Sequence, residues 1–550
     1  MNTIQTQVLI VGAGPVGLTL AMDLAQRGVQ VLVAEIRHQG ELPNVKCNHV
    51  SARSMEIFRR LGVSGTVRDA GLPSDYPNDV AYRTSVTGAE LSRIPIPARK
   101  DRYTATGGPD TGWPTAEPPH RINQIYLEPL LFAHAKASPN LTILNRTRID
   151  DVGQDVDGAW ADGVNLDDGG TLRIRCDYLI GCDGGRSMVR KKIGAQLHGT
   201  EVVGRVQSTY FRAPALLGLL KHAPAWATFA YNTRRCGNVY AIDGRETWLL
   251  HNYLHASEMD FEAVDRDWAI REILGVDKEF EYEVISKEDW IGRRLVADRF
   301  RDRRIFICGD ASHLWIPMAG YGMNAGIADA MNLSWLLGAR IQGWATDAAL
   351  DAYEAERQPI TEQVSNFAMN HAIALQRERE GVPPAIEARG PQGDAARKTA
   401  GQALYDLNVQ QYCCAGLNFG YFYDHSPVIA YDGEAAPAYS MASFTPSIVP
   451  GCRTPHFWLG DGRSLYDSLS AGYTLLRTDR TVNVDALLAA ARQRGVPLAV
   501  LDISPEEAGP VYNRALVISR PDQHVAWRGN AVPDDALSLI DRLRGAAAPA

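Results

Sequence analysis

Apolar residues fall into three patterns along the chain. Val8 to Val11 form a continuous apolar block, which suits a parallel strand covered on both faces. A glycine turn, a helical stretch and a second apolar strand complete the segment "QVLIVGAGPVGLTLAMDLAQRGVQVLVAE". The apolar-strand-then-glycine pattern returns in "CDYLIGCDGGRSMVRKKIG" and again in "RRIFICGDASH". Between these two the pattern changes to antiparallel strands. "CGNVYAIDGRETWLLHNYL" predicts a hairpin closed by a two-residue turn at Asp243-Gly244. That register pairs Tyr240 with Thr247 and Cys236 with His251 on one face, and Val239 with Trp248 on the other. The segment from Trp226 to Asn232, with Phe229 and Tyr231 on one side, joins the same unit. In the last part of the chain, strands "YTLLRT" and "LAVLDI" alternate with helical "NVDALLAAARQRG" and "DDALSLIDRLRG", a small α/β unit.

With 550 residues the chain exceeds one core. The patterns divide it into a dinucleotide-binding α/β domain over 1–75, 104–194 and 296–345, and an inserted antiparallel-sheet domain over 76–103 and 195–295. A helical connector over 346–399 and a separate α/β unit over 400–550 follow. The stretch 378–398, "EREGVPPAIEARGPQGDAARK", reads as the most mobile connector.

Composition narrows the chemistry by exclusion. A net charge of −8 and a pI near 5.9 argue against nucleic acid and against cationic docking on membranes. No apolar run reaches the roughly 18 residues of a spanning helix, and the start lacks a basic leader. The eight cysteines form no CxxC and no metal-ligand spacing, which predicts reduced thiols in a cytoplasmic protein without a structural metal.

The glycine turns carry the first chemical signal. Gly12, Gly14 and Gly17 supply GxGxxG between a strand and a helix that opens with Pro15. Gly12 permits the tight turn, Gly14 lets a pyrophosphate approach the backbone, and Gly17 lets helix and strand pack closely. Glu35, 18 residues beyond Gly17, ends the second strand where a carboxylate accepts hydrogen bonds from ribose hydroxyls. No basic residue stands in its place to receive a 2′-phosphate. NAD and FAD both fit this segment. Asp183 and Asp310 each follow a further apolar strand, at the rim where ligands bind in open α/β sheets.

The three signals in this order lead to a family. The chain resembles the FAD-dependent aromatic hydroxylases, the single-component flavoprotein monooxygenases with the p-hydroxybenzoate hydroxylase fold. The resemblance rests on GAGPVG, CDGGRSMVR and "GDASHLWIPMAGYGMNAGIADAMNL", with "ARSMEIFRRLG", "RINQIYLEPLL" and "YEAERQP" in support. "PGCRTPHFWL" and "VISRPDQHVAWRG" resemble the thioredoxin-like extension of the phenol and polyketide hydroxylase branch. The resemblance implies a Rossmann-type FAD-binding domain, an antiparallel substrate domain and a thioredoxin-like C-terminal domain. It implies that Glu35 holds the adenosine ribose, Gln124 lines the flavin side, Asp310 holds the ribitol, and Asp183 sits in a groove shared by pyrophosphate and nicotinamide. Lys46 stands where the family commonly has arginine. Ile316-Pro317-Met318-Ala319-Gly320 replaces the family's P-P-x-G-G and makes the pocket floor more apolar. Gly320 and Gly322 let the backbone lie against the ring. Met323 and Asn324 open a helix, expected to start near Asn324, whose N-terminus faces the flavin pyrimidine.

Substrate-side candidates are Tyr240 and His251 on the hairpin, and His49 beside the helix "ARSMEIFRRLG". Asn48 stands where phenol hydroxylases carry a carboxylate, so His49, able to titrate near neutral pH, is the candidate replacement base. His313 reads as a structural histidine bonded to backbone. The expected reaction is NAD(P)H- and FAD-dependent hydroxylation of a small phenolic or polyketide-type aromatic by O2. It passes through a flavin C4a-hydroperoxide and displaces a nitro or halogen group where the attacked carbon carries one. A Baeyer–Villiger or epoxidising monooxygenase and a flavin dehydrogenase without oxygen insertion are the alternatives. From residue 445 onward the only cysteine is Cys452, so dithiol chemistry is excluded there, leaving support, gating or contact within a homodimer.

Overall fold

The computed structural model describes residues 2–317 and 320–547. Met318 and Ala319, part of the expected apolar floor, lie outside the described residues.

The apolar block Val8–Val11 belongs to the longer strand Asn2–Val11 at the centre of an eight-stranded sheet. It runs parallel to Val31–Ala34 on one side and to Thr171–Gly181 on the other. Leu141–Leu144 and Ile305–Ile307 extend the parallel order outward. Val8, Leu9 and Ile10 have no exposed surface, as a strand covered on both faces requires. Register explains why three distant motifs meet. Val11 aligns with Gly181, and Gly181 with Ile307, so the turns that follow all leave one rim of the sheet. Two hydrogen bonds stitch that rim: Cys182 N donates to Val11 O at 2.8 Å, and Cys308 N to Gly181 O at 3.0 Å.

A nine-stranded sheet forms the second layer, built mainly from residues 80–94 and 197–297, with His313–Trp315 at one edge. Its hairpin differs from the expected one. Tyr240 pairs with Leu249 and Asn238 with His251, two residues out of the predicted register. The cause is Asp243: its carboxylate accepts from the N–H groups of Arg245, Glu246 and Thr247 at 2.8, 3.0 and 3.0 Å, and this stabilises a longer loop than Asp-Gly alone. Because the shift is even, Tyr240 and His251 keep a common face. Their rings meet edge to face, centroids 5.7 Å apart.

Residues 378–398 are tied down rather than mobile. Arg397 donates to the carbonyls of Ile386 and Ala388 at 2.9 Å, and Glu387 pairs with Arg234 at 2.5 Å. The following helix, Pro391–Tyr412, contributes Leu404 and Tyr412 to the core of the antiparallel sheet. The boundary expected at residue 400 therefore cuts through an element of the second layer.

The C-terminal sheet orders its strands Leu498–Asp502, Tyr473–Arg477, Leu516–Ser519 and Val525–Gly529, the first pair parallel and the others antiparallel. Helices Asp485–Gln493 and Ala536–Leu543 complete a thioredoxin-like α/β unit. It docks on the first layer through aromatic and ionic contacts. Tyr473 meets Trp335 edge to face at 6.1 Å, and Arg520, held by Asp522 of its own unit at 2.7 Å, pairs across with Glu356 at 2.6 Å, all buried. The architecture is α/β, a Rossmann-type domain with an inserted antiparallel sheet and a thioredoxin-like C-terminal domain. No helix among the described residues is long and apolar enough to cross a membrane.

Candidate active site

A cavity of about 430 Å³ lies between the rim of the parallel sheet and one face of the antiparallel sheet. On the rim side it meets Gly14, Pro15, Gly17 and Asp310. The glycine turn is fixed by close approach. Gly12 has φ +106°, and a Cβ there would lie 2.4 Å from the Cys182 carbonyl oxygen. A Cβ on Gly17 would lie 2.1 Å from the Gly12 carbonyl oxygen. Beside Gly14, by contrast, there is open space. The helix Pro15–Gln26 starts there with no side-chain cap and no acidic residue in its first turn, so its N–H groups and dipole are free for an anion.

Asp310 is the unpaired acid of the cavity. Its side chain is exposed to the open cavity and its carboxylate makes no hydrogen bond or ion pair among the described residues; the surrounding protein raises its pKa, against the pull of His313 and Lys46. Glu35 and Asp183 differ from it. Glu35 accepts from Ala13 N at 2.7 Å, from Arg37 N at 2.9 Å and from Arg37 Nε at 3.0 Å. Burial would raise its pKa, but the bonds to Arg37 hold it below the usual range. A basic residue therefore does stand near Glu35, neutralised by it and by Glu128 at 2.5 Å. Gln124, which lines the cavity, donates to the same Glu128 at 3.0 Å.

Asp183 spends its carboxylate on the short helix behind it, accepting from Ser187 Oγ at 2.5 Å, Met188 N at 2.7 Å and Val189 N at 3.1 Å. Its neighbours Cys182 and Gly184, not Asp183 itself, line the cavity. Arg190 then ties this loop to the Asp310 loop through the carbonyls of Gly185 and Ala311, both at 2.9 Å. The expected groove-facing role of Asp183 thus becomes a bracing one. Lys46 lines the cavity, with its ammonium 2.7 Å from Glu288.

The second glycine cluster also opens on the cavity. The helix begins at Tyr321, earlier than expected, because Gly320 caps it in the left-handed conformation at φ +66°. Gly322 has open space beside it, and Pro317 and Met323 complete this wall. The first turn carries no acidic residue and no side-chain cap. Asn324 does not line the cavity; its Nδ2 donates to His49 O at 3.1 Å and Gly320 O at 2.6 Å. His313 is structural, but its partner is the Asp329 carboxylate at 2.8 Å rather than backbone.

The three expected catalytic residues, His49, Tyr240 and His251, share the cavity. Neither histidine titrates near neutrality. Burial, then Arg121 and His120, hold His49 far below the usual imidazole range, and its Nδ1 accepts a hydrogen bond from Arg121. Burial lowers His251 to about 4, with Ser208 Oγ 2.9 Å from its Nδ1. Burial raises the Tyr240 phenol above its ordinary value. The expected titratable base at His49 is therefore corrected to a neutral hydrogen-bonding imidazole. Asn48 is held through Oδ1, 2.5 Å from Asn123 Nδ2.

Several wall residues escaped the sequence reading. Trp226, Tyr253 and Trp290 supply aromatic surface, Tyr412 arrives from the helix assigned to another unit, and Arg121 is the cation between them. Arg121 stands inside "RINQIYLEPLL", but its burial has no local signature in the sequence.

Residues 5–368 match the family model of an FAD binding domain, and residues 447–548 that of the C-terminal domain of aromatic-ring hydroxylases. The chain belongs to the FAD-dependent aromatic-ring monooxygenases. Tetracenomycin B2 monooxygenase-dioxygenase of Streptomyces olivaceus is 30% identical, with 98% of each chain covered. Phenol 2-monooxygenase of a Pseudomonas species is 28% identical over 100% of this chain and 94% of its own. Among solved structures, RebC with reduced flavin superposes with a TM-score of 0.90 at 33% identity, covering 100% of both chains. Aklavinone-11 hydroxylase with FAD and aklavinone gives 0.80 at 27% identity, covering 99% of both.

FAD is the cofactor of this monooxygenase, and the residues present fit it. The space beside Gly14 at a free helix N-terminus suits a pyrophosphate, the unpaired Asp310 suits a polyol, and the open flank of Gly322 suits a flat ring.

Proposed function

We propose that the protein hydroxylates a phenolic ring, with NAD(P)H as reductant and O2 as oxidant. The observation that carries this reading is one cavity with two chemistries: free N–H groups and an unpaired acid on the rim side, aromatic rings on the other. FAD, when bound and reduced, supplies the activated oxygen. The chain's own residues would do the rest. Gly14 and the helix at Pro15 would hold the pyrophosphate, Asp310 the ribitol, and the N-terminus at Tyr321 would stabilise negative charge on the reduced ring.

On the substrate side, Trp226, Tyr240 and Trp290 offer flat apolar surface that excludes water from the reacting carbon. Tyr240 and His251, locked edge to face, would fix the ring plane. His49, neutral and with Nδ1 occupied by Arg121, would offer an Nε2–H donor rather than a base. A nitro or halogen substituent on an attacked carbon ortho or para to the phenol oxygen would then leave as nitrite or halide with loss of the new hydroxyl proton, giving a quinone. Phenol and polyketide-derived rings enter the proposal through the relatives named for them, phenol 2-monooxygenase and the tetracenomycin and aklavinone enzymes.

The test is a panel of one- to four-ring phenols assayed for stimulated NAD(P)H oxidation, with product mass analysis. At least one phenol should raise the rate at least tenfold and gain 16 mass units, about the mass of one oxygen atom. If no phenol yields an oxygenated product, the reading fails.

A further inference from the structure

Buried arginines in this protein follow a rule with one exception. Among the described residues, Arg53, Arg68, Arg83, Arg102, Arg235 and Arg357 are buried and each is paired with a carboxylate. The same holds for Arg453, Arg520 and Arg528. Arg190 lacks a carboxylate but donates to two carbonyl oxygens. Among the described residues Arg121 alone bonds to no oxygen. It is 4% exposed, and among those residues its single hydrogen-bond partner is the His49 ring nitrogen and its buried Nη2 has none.

Geometry explains how the charge is held meanwhile. The guanidinium carbon lies 4.5 Å from the centroid of Trp226 and 6.0 Å from that of Tyr412, and these two rings meet edge to face at 6.1 Å. Stacking on aromatic faces offsets part of the desolvation cost but leaves the planar fork of donors unused. The neighbouring acid, Asp110, is already committed to Arg102 at 2.6 Å and to Trp113 Nε1 at 2.9 Å. A buried cation with an idle donor is retained where something else supplies the anion. Arg121, Trp226 and Tyr412 all line the cavity, so that anion reaches them through the active site.

We infer that the aromatic substrate carries a carboxylate, which pairs with Arg121 while the ring lies against the aromatic wall. The planar guanidinium matches a planar carboxylate better than a hydroxyl or amide, and a neutral ligand leaves the charge uncompensated. The inference rests on the monooxygenase reading above and narrows its substrate class from phenols to aromatic acids. It also makes Arg121 a specificity-determining residue, separate from the groups that would hold FAD.

The experiment uses the holoenzyme and matched pairs of hydroxylated aromatic acids and their primary amides: hydroxybenzoate, hydroxynaphthoate and hydroxyanthracene carboxylate. Binding is read from the perturbation of the bound-flavin spectrum. At least one acid should bind tenfold or more tightly than its amide, and Arg121→Gln should erase that ratio while keeping its FAD content. If Arg121→Gln does not retain FAD, Arg121→Lys, which keeps the charge but not the planar fork, should cut the ratio at least threefold. The inference is overturned if no acid outbinds its amide, including the case in which nothing in the panel binds, or if the preference survives the variant. A neutral phenol that is oxygenated with no acid preference would sink this inference and leave the monooxygenase reading intact.

Discussion

Asn324 holds His49 in place from 275 residues away in sequence: its Nδ2 donates to the His49 carbonyl at 3.1 Å. The same side chain accepts from Ser51 N at 2.9 Å and Ser54 Oγ at 2.7 Å. One amide thus fixes the loop beside the cavity, the start of the helix Ala52–Arg60 and the N-terminus of Tyr321–Ile341. Asn324→Ala leaves these buried groups without partners, and the expected loss is about 2–4 kcal/mol of stability. Urea unfolding of the holoprotein, with FAD content measured in parallel, checks this. A loss under about 0.5 kcal/mol, the scale of an ordinary surface change, would show that the amide is not a structural tie.

Asp310→Ala should behave in the opposite way. Its carboxylate has no protein partner among the described residues, so removing it should leave the apoprotein as stable as before. FAD affinity should fall by roughly 1–3 kcal/mol, the scale of a lost hydrogen bond to a charged group. Unchanged FAD affinity would mean that the acid does not meet the cofactor.

Truncation before residue 445 should cost the fold, not only the chemistry. Glu356 would lose Arg520, its partner at 2.6 Å, and Glu56 would lose Arg453, at 2.5 Å, all four side chains being buried. Breaking one such pair costs about 3–5 kcal/mol, a large share of a domain's stability. The truncated protein should be insoluble or devoid of FAD. A soluble product with an intact flavin spectrum would show that the C-terminal unit is separable.

These contrasts show where the sequence was readable. GxGxxG, the Asp183 turn and the Asp310 turn were legible because each needs a local conformation, and three apolar strands fix their meeting at one rim. The face shared by Tyr240 and His251 was legible too, since parity survives an even register shift. The register itself was not, because it depended on how many N–H groups the Asp243 side chain could satisfy. Protonation was hidden for a similar reason: no pattern around His49 reports that it is buried against Arg121. The helix ending at Tyr412 was assigned to the wrong unit because composition marks a connector at 378–398 but not the sheet on which the helix Pro391–Tyr412 packs.

The cavity histidines, His49 buried and His251 half-buried, give a pH prediction with a definite sign. His251 is lowered to about 4 by burial, while an unfolded histidine titrates near roughly 6.5. Between these values the unfolded chain binds more protons than the folded one, so acid favours unfolding. The stability gained from a neutral His251 is fully present above about 6.5 and is lost as pH falls towards 4. His251→Gln should therefore show a shallower loss of stability across that window than the parent protein. A steeper loss would place the folded pKa above that of the unfolded chain. With a non-ionising aromatic ligand, no histidine titration near neutrality should appear in binding, since His49 is also held neutral.

The central claim is that oxygen from O2 is inserted into an aromatic ring in the cavity shared by Asp310 and Tyr240. Turnover of an active phenol under ¹⁸O-labelled dioxygen, with product mass measured, tests it most directly. The product should carry one labelled oxygen atom, and in H2¹⁸O under ordinary oxygen it should carry none. A substrate oxidised by the flavin with no label from O2 in the product would contradict the account and make the protein a flavin dehydrogenase.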